Sequence, residues 1–312
     1  MAEASILVIG SINYDYLLTQ ERLPRRGETF PASSMEGAFG GKGANQAIQA
    51  ARLGADVEFV GAVGPDENGQ KSRANLEAHN VTAILRDSEL STGTGIVHVT
   101  GAGDVYATIF EGANGAVDAN WVDAQRLRIS SAALVIIQNE IPAEANARAV
   151  TLAHETNVPV IYNAAPAREV SLLVSNSCTW FVVNEDEAAF YLGRALGEPT
   201  NETLMMQAAR ELLRYCPGVI VTLGRHGSVV ATPDDTVFVP SRPTKAVDST
   251  GAGDSFVGAF ATAVLEGSSP VQAATAATIV ASLTVRGVGA QSSMPMREDI
   301  PHEAVYASPS DS

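Results

Sequence analysis

Short runs of consecutive branched apolar residues alternate along this chain with longer segments whose apolar positions recur every three or four residues. The runs at 6–9, 57–60, 134–137, 158–162, 181–183 and 219–222 predict strands covered on both faces. Helical spacing predicts helices over 44–53, 69–79, 143–155, 185–196 and 204–215, then two more over 254–266 and 271–286. Apolar strands in regular alternation with helices predict an α/β fold, doubly wound around a mostly parallel central sheet.

Two stretches break that rhythm. Residues 14–39 show alternation and turn pairs such as Leu23-Pro24 and Arg26-Gly27, with no helical period. Between 94 and 110, two alternating runs flank Gly101 and Gly103. Both read as antiparallel pieces outside the main sheet. As insertions spanning about 14–39 and 94–112 of a single domain over 1–312, they would form a small β-sheet lid. The alternative is decoration of a sheet edge.

Composition narrows the function. Hydrophobic residues make up 46% of 312 positions and charged residues 18%, enough for a large core. The net charge of −15 argues against nucleic acid or an anionic membrane as a partner. An anionic ligand would need a local site of helix N-termini and glycine-rich backbone. The start of the chain has no basic, apolar leader pattern, and no run is long enough for a membrane span. Cys178 and Cys216 form no CxxC pair, so a reducing, cytoplasmic setting is expected.

The pentapeptide TGAGD occurs twice, at 100–104 and 250–254. The first copy lies between alternating runs and reads as a hairpin turn. The second precedes Phe256, Val257, Phe260, Ala261 and Val264 on one helical face, so it opens a helix. The backbone N–H groups of Ala252, Gly253 and Asp254 would then be free to hold an anion. Asp254 either favours the helix dipole or accepts a proton from an attacking hydroxyl.

A second glycine cluster, Gly40-Gly41-Lys42-Gly43-Ala44-Asn45-Gln46, is not a Walker A loop, because Gly follows Lys where Ser or Thr belongs. No GxGxxG fingerprint follows the first strand either. What remains is side-chain-free backbone entering a helix beside Lys42 and Asn45, suited to close approach of a small polar ligand. Asn13 and Asp15 follow the first strand at alternate positions. They either face a polyol together or cap a turn. Glu140 lies three residues past the strand at 134–137, at the same sheet edge. The histidines at 79, 98, 154, 226 and 302 have no metal-ligand spacing, and no GxSxG elbow is present.

GGKGANQA (40–47) and DSTGAGDSFVGAF (248–260) resemble the two signatures of the ribokinase-like, or PfkB, carbohydrate kinases. GSINYD (10–15), STGTG (91–95), GAN (112–114), NAAPA (163–167), NEDE (184–187), TLGRHG (222–227) and GAQSSMP (289–295) follow in family order. GGKGANQA together with NAAPA is most similar to the ribose-phosphorylating branch. The resemblance implies a doubly wound sheet with a β lid that doubles as a homodimer interface. It also implies transfer of the ATP γ-phosphoryl to the 5-hydroxyl of D-ribose.

By position, the resemblance makes Asp254 the general base and Gly251, Ala252 and Gly253 part of the anion hole. Asn13, Asp15, Gly41, Lys42, Asn45 and Glu140 would hold the sugar. Asn184, Thr222, Gly224, Gly227 and Gly253 would bind the nucleotide, with Asn184 and Glu187 acting on Mg²⁺ through water. Asp248, Thr250, Thr284, Gly287, Gly289 and Ser293 would form a K⁺ loop. Tyr14 and Tyr16 around Asp15, and Asn139 before Glu140, depart from the family pattern. An aromatic beside the site can stack on a base, so a sibling kinase for another sugar or a nucleoside is the alternative.

Overall fold

The computed structural model describes residues 5–301 apart from Gly103. The strands in chain order are β1 (Ser5–Ile9), β2 (Asn13–Gln20), β3 (Ser34–Gly40), β4 (Asp56–Val63), β5 (Val81–Asp87), β6 (Thr94–Thr100) and β7 (Val105–Phe110). There follow β8 (Leu134–Gln138), β9 (Val160–Asn163), β10 (Trp180–Asn184), β11 (Gly218–Thr222), β12 (Gly227–Ala231) and β13 (Thr236–Pro240). Among the described residues, nine of them make one sheet in the order β13-β12-β11-β10-β9-β8-β1-β4-β5. Every pairing from β11 to β5 is parallel, and only β12 and β13 run antiparallel to their neighbours.

Alternation along β1 splits the core into two layers. Ile6 and Val8 join Ala47, Phe256, Phe260 and Ala277 on one face. Leu7 and Ile9 join Ala149, Leu152, Ala208 and Leu212 on the other. Helices Lys42–Arg52, Ala252–Leu265 and Pro270–Thr284 therefore cover one side, while Ala143–Glu155 and Glu202–Leu212 cover the opposite side. Phe260 is fully buried against Trp180 and Phe256, a burial worth about 2–3 kcal/mol.

The chain leaves β1 in one direction through β4 and β5, and in the other from β8 onward. The switch point therefore lies between β1 and β8, where open α/β sheets place their ligands.

The other four strands form a second sheet, β3-β2-β6-β7. The β2–β3 and β6–β7 hairpins are antiparallel, as expected, but β2 and β6 join in parallel. The turn after β6 contains the first TGAGD copy. There the Thr100 N–H donates to Asp104 O at 3.0 Å, and Gly103 lies outside the described residues, as do residues 1–4 and His302.

Some element ends differ from expectation. The helix expected over 185–196 stops at Leu192, because Gly193 adopts φ 68° and closes it in the left-handed region. Strands β5, β12 and β13 were not anticipated.

Candidate active site

Helix Lys42–Arg52 begins without a side-chain cap, at Gly41 with φ 87°. A Cβ there would lie 2.8 Å from the Asn13 nitrogen and 2.8 Å from Ile12 Cα. One on Gly43 would lie 2.8 Å from Gly10 Cα. The glycines thus let the helix start rest backbone-to-backbone on the β1–β2 connection. Glu140, just past β8, ties the pieces together. Its Oε2 accepts from Ser11 Oγ at 2.6 Å and from the Lys42 backbone N–H at 2.9 Å.

Asn13 and Asp15 occupy alternate positions on β2 and share a face. Asn13 Oδ1 accepts from Asn114 Nδ2 at 2.8 Å, and Asn114 Oδ1 accepts from the Ile12 N–H at 2.9 Å. Asp15 Oδ1 accepts from the Gly95 N–H at 2.6 Å. A Cβ on Gly40 would come within 2.1 Å of Asp15 Oδ2. Desolvation pushes the Asp15 carboxyl up to about 6; the Gly95 N–H opposes this and Glu140 adds to it.

Tyr14 and Tyr16 project to the opposite face. The Tyr16 hydroxyl bonds Asn68 at 3.3 Å, and Lys71 Nζ sits 5.5 Å from the Tyr14 ring centre, both on helix Glu67–Ala78. Asn139 is buried, accepting from the Tyr162 hydroxyl at 2.6 Å and donating to Pro166 O at 2.9 Å. It braces the NAAPA turn.

Asp254 lies in the first turn of helix Ala252–Leu265 and is buried. Its Oδ2 accepts from Asn45 Nδ2 at 2.8 Å and its Oδ1 from Gln46 Nε2 at 3.0 Å. Desolvation raises its pKa; Lys42 and the two amides pull it down, and Glu140 pushes it up. Burial works against the Lys42 charge, yet Asp254, Glu140 and Glu187 more than offset it and leave its pKa raised. One cation therefore faces three carboxylates. Glu187 forms a capping box with Asn184: each backbone N–H bonds the other's side chain at 2.8 Å. Burial raises the Glu187 pKa, against the Asn184 N–H and Lys42.

Next to this cluster lies a cavity of about 570 Å³. Thr222, Gly224, Gly227, Ala252 and Gly253 line it, with Phe256, Ala281 and Val285 as an apolar wall. Asn184 is not among its lining residues. Gly251, with φ 76°, starts the helix against Ala290, where a Cβ would come within 2.6 Å. Around Gly253, by contrast, a Cβ would meet nothing within 4 Å. The Ala252 N–H is not free: it donates to Ser249 O at 3.2 Å in the preceding turn. The open amides of the helix start are those of Gly253 and Asp254.

Behind it, Asp248 joins two loops. Its Oδ1 accepts from Thr250 N at 2.9 Å and Thr250 Oγ1 at 2.6 Å, and its Oδ2 from Gly289 N at 2.8 Å. These bonds outweigh burial and hold its pKa low. Thr284 Oγ1 is taken up by Ser255 Oγ at 2.6 Å, and Ser293 Oγ by the carbonyls of Gly289 and Ala290. Gly287 closes on Thr284, its N–H reaching Thr284 O at 3.3 Å. Among the described residues no cluster of three or more His, Cys, Asp or Glu is arranged around a metal position.

The model of the pfkB family carbohydrate kinases matches residues 3–297. The chain belongs to that family. A ribokinase from Bacillus subtilis is 34% identical over 95% of this chain and 98% of its own. A bifunctional ribokinase/ribose-5-phosphate isomerase A from Fructilactobacillus sanfranciscensis is 37% identical over 95% of this chain, which spans 55% of its length. Arabidopsis thaliana ribokinase, complexed with ribose and ATP, superposes with a TM-score of 0.88 at 29% identity, covering 98% of this chain and 100% of its own. The pfkB-family chain is thus a sugar kinase with the ribokinase-like fold.

Several polar residues of the site have no role assigned from the sequence, although Gln46, Asn163 and Gln291 lie within GGKGANQA, NAAPA and GAQSSMP. Gln46, Gln138, Asn163 and Gln291 are buried around Asp254, yet on paper a glutamine reads as solvent-facing. A further signal is that Asn45, Gln46 and Gln49 crowd the apolar side of an otherwise alanine-rich helix.

Proposed function

We propose that the chain transfers the γ-phosphoryl group of ATP to the 5-hydroxyl of D-ribose, giving ribose 5-phosphate and ADP. One observation carries this reading: the buried carboxylate of Asp254 shares the helix start with the open amide of Gly253, between the polar cluster and the cavity.

In this reading ribose lies across the carboxyl ends of β1 and β8. Asn13, Asp15, Gly41, Lys42, Asn45 and Glu140 receive its hydroxyls. ATP occupies the cavity, with its base along Phe256, Ala281 and Val285 and its phosphates toward Gly253. The Asp254 carboxylate takes the proton of the 5-hydroxyl. That oxygen bonds the γ-phosphorus as the bond to the bridging β,γ oxygen breaks, and ADP leaves. The amides of Gly253 and Asp254 and the Lys42 ammonium receive the charge on the migrating group. The second sheet excludes water, the competing acceptor.

Asn184 and Glu187 are the residues that would act on Mg²⁺. Such an ion keeps several waters and needs only one or two carboxylates beside substrate phosphates, and the second Glu187 oxygen lies outside the capping box. When bound it neutralises phosphate charge. A K⁺ ion would be held by the loops that Asp248 joins. Thr284 and Ser293 could offer backbone carbonyls, and the Ser293 hydroxyl, which donates to the carbonyls of Gly289 and Ala290, keeps lone pairs for a cation.

Exposed Met35, Tyr106, Ile109 and Phe110 on the second sheet support a homodimer across it. Free, buried Cys178 and Cys216 support a cytoplasmic setting. Among the described residues no helix is long and apolar enough to cross a membrane.

The test is ADP release with ribose, deoxyribose, fructose and nucleosides. Ribose should give the highest kcat/KM. A nucleoside in first place would overturn the reading, and the placement of Tyr14 and Tyr16 against helix Glu67–Ala78 argues against that outcome.

A further inference from the structure

Two chains of side-chain amides end on Asp254, and both run in one direction. In the first, Gln138 Nε2 donates to Gln46 Oε1 at 2.8 Å, and Gln46 Nε2 donates to Asp254 Oδ1 at 3.0 Å. In the second, Asn75 Nδ2 donates to Gln291 Oε1 at 2.7 Å, Gln291 Nε2 to Asn45 Oδ1 at 2.8 Å, and Asn45 Nδ2 to Asp254 Oδ2 at 2.8 Å. Gln46, Gln138, Asn45 and Gln291 are all buried.

An ionised carboxylate only accepts, so it obliges Gln46 and Asn45 to present their NH₂ groups. Each carbonyl then points backward and needs a donor, which Gln138 and Gln291 supply. The other hydrogen of Gln46 Nε2 is used as well, on Asn163 Oδ1 at 2.9 Å. At the outer end of the first chain a mismatch remains: Gln138 Oε1 is buried with no partner among the described residues. Turning Gln138 over would set its carbonyl against that of Gln46. An orphaned buried acceptor is costly, so the orientation at Asp254 is kept at the expense of a group one residue further out.

We propose that Gln138 and Gln291, neither of which touches Asp254, are positioning residues for it. Each locks the amide in front of it with the donor side toward the carboxylate. The aligned dipoles place positive ends at both oxygens before substrate arrives, and bonds in such chains reinforce one another. The charged groups facing Asp254 are Lys42 from its helix start, Glu140 from the loop after β8 and Glu187 from helix Glu185–Leu192. Two of the three are carboxylates, which gives the amide chains charge repulsion to offset.

The proposal rests on the reading of Asp254 as general base, and the experiment separates the two. Gln138→Met, Gln291→Met, Gln291→Glu and Asp254→Asn would be compared for thermal unfolding, KM for ribose and ATP, kcat, and kcat against pH. Both methionine variants should fold, keep each KM within about twofold and lose roughly tenfold in kcat. The acid limb of kcat should move up by about half a unit. Gln291→Glu keeps the shape but turns the polarity toward Asn45. It should be worse than methionine, whereas a purely packing role would make it milder. Unchanged kcat and acid limb in a folded variant of each chain would overturn the proposal. If a methionine variant does not fold, the glutamate variant at Gln291, or Gln138→Glu in its chain, decides by the same split. Loss of turnover in Asp254→Asn with unaffected glutamine variants would sink the positioning role alone. Near-normal turnover in Asp254→Asn would sink both.

Discussion

Asn45 and Asp254 stand 209 positions apart in sequence and 2.8 Å apart in space, each in the first turn of its own helix. The bond joins the two glycine-rich helix starts into one site. It fixes the carboxylate of Asp254 at the same helix start as the open amide of Gly253.

Asp254→Asn should lower kcat by about 10²-fold or more while the protein remains folded. Desolvation holds the Asp254 pKa above its ordinary value. A carboxyl so raised stabilises the fold below its unfolded pKa and loses that contribution as pH climbs through the folded one. At neutral pH the asparagine variant is relieved of that buried charge but sets its NH₂ against the NH₂ of Asn45 or Gln46, so it should melt within a few degrees of the parent. ADP release and a thermal scan check both halves.

Gly253→Ala and Gly251→Ala should part company. Alanine at 253 meets nothing within 4 Å in a helical turn, so it should leave stability unchanged or raise it by up to about 1 kcal/mol. In the proposed reaction its methyl group would crowd the migrating phosphoryl group at the amide of residue 253, and kcat should fall at least tenfold. Alanine at 251 needs φ 76° and collides with Ala290, so it should cost about 1–2 kcal/mol of stability. Equal behaviour of the pair would contradict the geometry.

With its carboxyl raised to about 6, Asp15 should impose an acid limb on sugar capture. Below that pH it is neutral and loses acceptor capacity, so kcat/KM for ribose should fall while KM for ATP stays level. Asp15→Asn should raise the ribose KM by roughly tenfold and flatten that limb. In stability the sign is opposite: this group's contribution drains away as pH rises from 3.8 through about 6.

Rates in K⁺ should exceed those in Na⁺ and in tetramethylammonium. Asp248→Ala removes the bonds to Thr250 and Gly289, so it should abolish the difference between cations. Equal rates in all three salts with the parent enzyme would remove the loop assignment.

Helix Ala143–Glu155 is readable to the residue, because its alanine-rich apolar period begins after Pro142 and stops with the core it covers. Helix Lys42–Arg52 starts two residues before its pattern does, since Lys42 and Gly43 carry no apolar signal. The second sheet was visible as a failure of helical period, but the parallel seam between β2 and β6 was not. Register between distant strands leaves no local trace. The backbone parts of the site follow from glycine placement. The amides behind Asp254 do not, because a buried glutamine is distinguished from a wet one only by its partners, and Gln138 and Gln291 lie far from Gln46 and Asn45 along the chain.

The β2–β3 hairpin meets the main body at its open end: Asn13 pairs with Gly40, only four residues beyond Ile9 and two before Lys42. Its far loop, between Gln20 and Ser34, can grow, shrink or acquire new contacts without altering the spacing at the ligand. A slip of one residue in the pairing would instead turn Asp15 outward and a tyrosine inward. Substitutions that tune recognition by other molecules are therefore expected to accumulate at the tip, while the root tolerates almost none.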